Sequence, residues 1–219
     1  MAAYFNLTLD TTAPSAVSVA FKDGITITGS RTVDLVLAAT GATHMKIYGD
    51  IGAAGVPTAE ASAAWVTYAT TSQVTLTTGD GTKTVKVKFK DIVDNVSIEA
   101  TKTITLDTTA ATVTITGPDV STISKMAGFK TSIFSFSADT AFVEYKVKVV
   151  PATGSAHTAG ALVPTTKGSL NTSGAAGNYA ASIPVQVTLI ADDVETASAG
   201  DGVKIIKVFA LDAGGNWSV

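Results

Sequence analysis

Apolar and polar residues alternate in short runs along most of this chain. Val33, Leu35 and Leu37 are spaced by two, as are Val85, Val87 and Phe89, and then Val143, Tyr145, Val147 and Val149. A period of two places each set on one face of a β-strand and the intervening residues on the other. β-Branched residues fill these runs, which suits a pleated, half-buried surface. Turns separate them at Asp23-Gly24, Gly79-Asp80-Gly81, Asp201-Gly202 and Gly214-Gly215, where glycine permits a positive φ. Only residues 60–65 and 180–191 leave room for a short helical turn. Short strands with turns at this spacing predict an all-β fold of Greek-key sandwiches.

The pattern is written twice. Residues 79–91 (GDGTKTVKVKFKD) return as residues 200–212 (GDGVKIIKVFALD), and Asn95, Val96 and Ser97 return as Asn216, Trp217 and Ser218, an offset of 121. Earlier in each copy, residues 9–13 (LDTTA) return as 106–110 at an offset of 97, and residues 43–48 resemble 141–146 at an offset of about 98. The second copy therefore carries extra residues, placed near 151–181, where Gly, Ala, Ser and Thr dominate without sustained periodicity. This stretch reads as a long surface loop. The expected organisation is an N-terminal strand or anchor over residues 1–10, a first domain over 11–107 and a second over 108–219.

Composition narrows the function. A chain of 219 residues can bury two cores of about 100 residues each. Charged residues make up 15% and the net charge is −3, with lysines spread singly along alternating segments. No basic patch is expected, which argues against nucleic acid or membrane as partners. The absence of cysteine excludes disulfides, a thiolate nucleophile and Cys-based zinc sites. Residues 1–9 have neither the basic nor the apolar region of a signal peptide.

The linker LDTTAP at residues 9–14, the GDGTKTVKV run at 79–87 and the Asp91-x-x-x-Asn95-x-Ser97 segment together resemble bacterial immunoglobulin-like (BIg-type) repeats. Such repeats occur in large surface adhesins and in tailed-bacteriophage virion proteins. The resemblance spans nearly the whole chain and implies two tandem immunoglobulin-like Greek-key β-sandwiches. It implies a non-enzymatic structural or display protein on the virion surface, either a capsid decoration protein or a neck or tail appendage. Its partners would be other virion proteins, with assistance to weak attachment at cell surfaces. The alternative is an adhesin module that binds a bacterial or host surface glycan or protein.

Candidate chemistry is sparse. His44 and His157 are the only imidazoles and lie far apart in the repeat map. No nucleophile elbow, HExxH helix or phosphate-binding glycine loop is present, so no catalytic or cofactor-binding residues are assigned. Asp91, Asp94, Asn95 and Asp107 offer hard oxygen ligands suited to Ca²⁺, and in adhesins of this resemblance linker aspartates bind calcium. Asp and Asn also cap turns without metal, and Gly215 stands where the first copy has Asp94. Trp65, Trp217, Phe134 and Phe136 are assigned to core or domain contacts. Tyr179, inside the insertion, is either a binding anchor or a pin for the loop.

The repeat map carries one further expectation. Residues 5–10 (FNLTLD) match residues 102–107 (KTITLD), the last strand of the first copy, whereas the second copy stops at Val219 before any such strand. Phe5, Leu7 and Leu9 are therefore expected to form an exchanged strand that completes the second domain of a neighbouring copy. The alternatives are local pairing or docking on a larger virion protein.

Overall fold

The computed structural model describes residues 5–154, 156–164 and 175–219. The chain divides into two compact units, Met1–Thr108 and Thr109–Val219. Both are built almost wholly from β-strands, in the immunoglobulin-like sandwich manner.

Unit 1 contains β1 (Ser15–Phe21), β2 (Ile27–Thr28), β3 (Thr32–Thr40), β4 (His44–Gly49), β5 (Val66–Thr67), β6 (Thr71–Thr75), β7 (Gly81–Lys90) and β8 (Ala100–Leu106). One sheet has the order β1-β3-β6 and the other β2-β8-β7-β4-β5. Alternation sorts each strand into an inner and an outer face: Val33, Leu35 and Leu37 of β3 are buried, as are Val85, Val87 and Phe89 of β7. These two sets, with Met45, Ile104 and Leu106, belong to one apolar cluster between the sheets. Strand β8 lies between β7 and β2, with Leu106 opposite Gly81, Ile104 opposite Lys83 and Thr105 beside Ile27. Residues 60–62 form a single 3-10 turn.

Unit 2 contains β9 (Val113–Thr116), β10 (Thr131–Ala138), β11 (Phe142–Val150), β12 (Ala161–Leu162), β13 (Ala175–Tyr179), β14 (Val185–Ile190), α1 (Ala191–Ala197) and β15 (Ile205–Asp212). One sheet has the order β9-β10-β14; in the other, β11 pairs with β15 along one edge and with β12 and β13 along the other. Phe134 and Phe136 of β10 pack with Tyr145 and Val147 of β11 and Val208 of β15 in the second apolar cluster.

Three sequence expectations change here. The insertion is not a featureless loop over its described part, because its backbone supplies β12 and β13 to the exposed edge of β11, where pairing satisfies groups that would otherwise face water unpaired. Residues 180–191 hold β14, and the helix follows at 191–197, because Val185, Val187 and Leu189 alternate inward while Val194 reaches the core from α1. The hairpin offset is also larger than the sequence suggested. Met45 pairs with Phe89 and Tyr145 pairs with Ala210, the counterpart of Phe89, so β4 and β11 are related by 100 residues and not by about 98. A slip of two keeps every side chain on its face, so alternation alone does not distinguish the two registers.

Candidate interaction surfaces

The outer face of unit 1 is built by the residues that β4 and β7 turn away from the core. Lys46 and Tyr48 come from β4, and Lys86, Lys88 and Lys90 come from β7, with Lys46 directly opposite Lys88. The singly spaced lysines of the sequence therefore form a ridge, because every second residue of β7 shares one face. Acidic residues from neighbouring segments offset their repulsion. Glu60 bonds Lys88 at 2.9 Å and Lys46 at 3.0 Å, Glu99 bonds Lys86 at 3.1 Å, and Asp94 pairs with Lys90. Hydrogen bonds from Lys88 and then Lys46 outweigh the opposing effect of burial and hold the Glu60 carboxyl at about 2. Burial, followed by the hydrogen bond to Glu99, pushes the Tyr48 phenol well above its ordinary value. The ring of Trp65 meets Lys46 Nζ at 4.9 Å and Lys90 Nζ at 5.1 Å. Trp65 is thus not a core residue; it is half-buried and joins this ridge through cation–π contacts.

Unit 2 carries a related arrangement on the outer face of β11. Lys146, the counterpart of Lys46, stands 4.2 Å from the Trp217 ring, and the His157 ring stacks on Trp217 at 4.7 Å with 15° between planes. Lys148 is buried and donates its ammonium to the His157 carbonyl at 2.8 Å. Burial, then Lys146 and Lys148, lowers the His157 imidazole below its ordinary value. Trp217 is accordingly a surface clasp and not a core residue, because the insertion folds His157 back onto it. Phe134 and Phe136 are buried in the core as expected. Tyr179 stacks on Phe142 at 4.6 Å and meets Tyr145 edge-on at 5.4 Å. The ring is partly buried and packs against the apolar cluster of unit 2.

The four calcium candidates are engaged differently. Asp91 is buried; its Oδ1 accepts the backbone N–H groups of Val93 and Asn95, both at 2.9 Å, and its Oδ2 accepts the Asn95 amide at 2.8 Å. Burial pushes the Asp91 carboxyl up, but the hydrogen bonds from Asn95 and Val93 outweigh this and hold it below the usual carboxylate range. Asp94 has a positive φ of 67° and an outward side chain that pairs with Lys90. The backbone N–H of Asp107 donates to Thr28 O at 2.9 Å. Among the described residues no group of three acidic or imidazole side chains gathers as a metal site. Asp212 and Asn216 repeat the Asp91–Asn95 bonds, with the Asn216 N–H 2.9 Å from Asp212 Oδ1. The left-handed position of Asp94 is filled in the second copy by Gly215, at φ 91°. Glycine suits that conformation without strain, and aspartate tolerates it in the first copy.

Two features remain. Phe5, Leu7 and Leu9 are each 84% exposed, in a segment with no regular structure whose end is tied to unit 1 by the Asn95 amide bonding the Asp10 carbonyl at 3.2 Å. Unit 2 holds a groove of about 1100 Å³ whose lining includes Ile115, Phe134, Leu189, Val203, Lys204 and Ile206. The sequence map pointed to the apolar arm and to the second domain as its acceptor; the lining of the groove comes from the structure. No helix of the described residues is long and apolar enough to cross a membrane.

No protein-family model matches the chain, and no curated protein matches it. Among solved structures it is similar to the fibronectin(III)-like modules of Clostridium thermocellum CbhA, with 12% identity and a TM-score of 0.47 over 92% of this chain and 89% of that one. It is also similar to a tetra-tandem repeat in the extending region of a large adhesion protein, with 20% identity, a TM-score of 0.29 and coverage of 93% and 47%. A third similarity is to the chitinase ChiA74 from Bacillus thuringiensis, with 14% identity, a TM-score of 0.29 and coverage of 88% and 29%. The chain spans about half of the adhesion-protein chain and under a third of the chitinase chain.

Proposed function

We propose that this chain is a non-enzymatic structural and display protein of a tailed-phage virion, carried on the capsid or on a neck or tail appendage, where it assists weak attachment to cell surfaces. The observation that supports a display role is the use made of the polar side chains. Asp91 and Asn95, and again Asp212 and Asn216, hold turns. His44 bonds its neighbour Thr43 at 2.9 Å, and His157 stacks on Trp217. Groups that could carry chemistry hold the frame in place, and the outer faces carry paired charges and half-buried tryptophans. Such a surface suits contact with other proteins more than turnover of a substrate. The virion setting rests on the resemblance carried by residues 9–14, 79–87 and 91–97; virion proteins are then the partners and the virion surface the location.

Cryo-electron microscopy of particles from the organism that encodes the chain tests this reading. Density for β-sandwiches at symmetry-related positions on capsid or tail, with the chain found by mass spectrometry in the purified particles, is the expected result. Absence from every particle, with the chain recovered instead on a bacterial surface, overturns it in favour of an adhesin module.

A further inference from the structure

We propose that the groove of unit 2 receives residues 5–10 of a second copy of this chain, added as the strand that β8 supplies in unit 1. The argument starts from what surrounds β8. In unit 1 that strand lies between β7 and β2 and buries Ile104 and Leu106 to 1% exposure. In unit 2 the counterpart of β7 is β15, and among the described residues β15 pairs along its length only with β11. The groove meets the start of β15 at Ile206 and the residues just before it. Gly202, Lys204 and Ile206 line it, and these are the counterparts, at 121 residues, of Gly81, Lys83 and Val85, which pair with Leu106, Ile104 and Lys102 of β8. Its lining also includes Ser124 and Lys125, which stand where β2 does at the 97-residue offset of the linkers, though they form no strand. Residues aligned with both neighbours of β8 thus line the same groove.

The proposed occupant is written in the same chain. Residues 5–10 (FNLTLD) align with residues 102–107 (KTITLD), which places Leu7 at the position of Ile104 and Leu9 at that of Leu106. In this register Leu9 faces Gly202, Leu7 faces Lys204 and Phe5 faces Ile206, where unit 1 has Lys102 opposite Val85. The exchange puts an apolar residue where unit 1 has Lys102 and gives residues 202–206, at the start of β15, backbone partners, as strand addition does generally. The position for this strand in unit 1 is already filled by β8, so the arm of one unit 1 has no place there. The bond from Asn95 to Asp10 presents it as a short arm. Every chain then carries one donor strand and one acceptor groove, a heterologous contact that propagates into an open chain or closes as a ring. This inference does not depend on the virion setting.

The test is sedimentation of the full chain across a range of concentrations. Species larger than a monomer are expected, growing with concentration. The double variant Leu7→Asp, Leu9→Asp alters two solvent-facing residues of unit 1 and is expected to keep the far-ultraviolet dichroism while weakening association about a hundredfold or more. Because the chain has no cysteine, a chain carrying Leu7→Cys can be mixed with one carrying Lys204→Cys and gently oxidised. A covalent pair between the two chains is expected, in marked excess over that formed with Lys22→Cys, an exposed site on unit 1. A monomer at every concentration, association unmoved by Leu7→Asp, Leu9→Asp, or equal cross-linking to positions 22 and 204 overturns the proposal and leaves the groove to a strand from another protein.

Discussion

Phe89 and Ser97 exchange two hydrogen bonds: the Phe89 N–H donates to Ser97 Oγ at 3.0 Å, and the Ser97 N–H donates to the Phe89 carbonyl at 2.8 Å. Ala210 and Ser218 do the same at the same distances in unit 2. The serine closes the bend that begins at the aspartate, so the repeated Asp-x-x-x-Asn-x-Ser segment is explained as a device that ends one strand and turns the chain.

Ser97→Ala removes the acceptor of a buried backbone N–H. A loss of about 1–3 kcal/mol is expected, read as a lower urea midpoint at unchanged slope. Ser218→Ala is expected to produce a similar loss through Ala210. A change of under about 0.5 kcal/mol in both would show that water replaces the hydroxyl, and that the serine does not hold the bend.

Gly215→Asp is expected to cost about 1 kcal/mol or less, because Asp94 already occupies the equivalent left-handed position. Gly215→Val should cost more, since a β-branched side chain is strained there. Gly49→Ala is expected to exceed both: at φ 106° its new Cβ would lie 2.3 Å from the Thr84 carbonyl oxygen, a backbone clash that β4 and β7 relieve only by parting. Thermal unfolding of the three variants gives the order directly.

Glu60 makes unit 1 sensitive to acid. Its folded value of about 2 lies below the ordinary 4.5, so the unfolded chain binds more protons between those values and stability falls as pH drops through that window. Above about 4.5 the contribution is fully present. Glu60→Gln is expected to flatten the loss between pH 4.5 and 2 relative to the parent chain and to leave the pH dependence above 6 unchanged. Urea midpoints taken at half-unit pH steps test this, and parallel curves for the two proteins would contradict it.

Phe136 is 1% exposed and meets Tyr145 at 5.0 Å and Phe142 at 5.8 Å between ring centres. Phe136→Ala is expected to destabilise unit 2 by about 3–5 kcal/mol, the sum of lost transfer energy and the cavity left behind. Trp217 fluorescence in a Trp65→Phe background reports the unfolding of unit 2.

Much of the frame was legible in the sequence for a local reason. The inward sets Val33, Leu35, Leu37 and Val85, Val87, Phe89 announce their faces through a period that depends only on neighbouring residues. The insertion was less legible: Gly160, Ala161 and Leu162 show no alternation, and β12 exists because the edge of β11 was there to pair with it. By residue type Trp65 and Trp217 read as core or domain contacts, yet Trp65 lies against Lys46 and Lys90 and Trp217 against Lys146, which the fold brings to them from distant positions.

The strand faces, the turns, the twofold repetition and the likeness of residues 5–10 to β8 can be read from the chain alone. These follow from side-chain periodicity, from glycine's tolerance of positive φ and from direct comparison of segments. The 100-residue relation of β4 to β11, the pairing of Glu60 with Lys46 and Lys88, the stacking of His157 on Trp217 and the lining of the groove at the start of β15 emerge only in three dimensions. Each of these depends on which strands lie side by side, and strand pairing is a choice among registers that share one alternation pattern; packing between sheets settles it, since only one register fills the core.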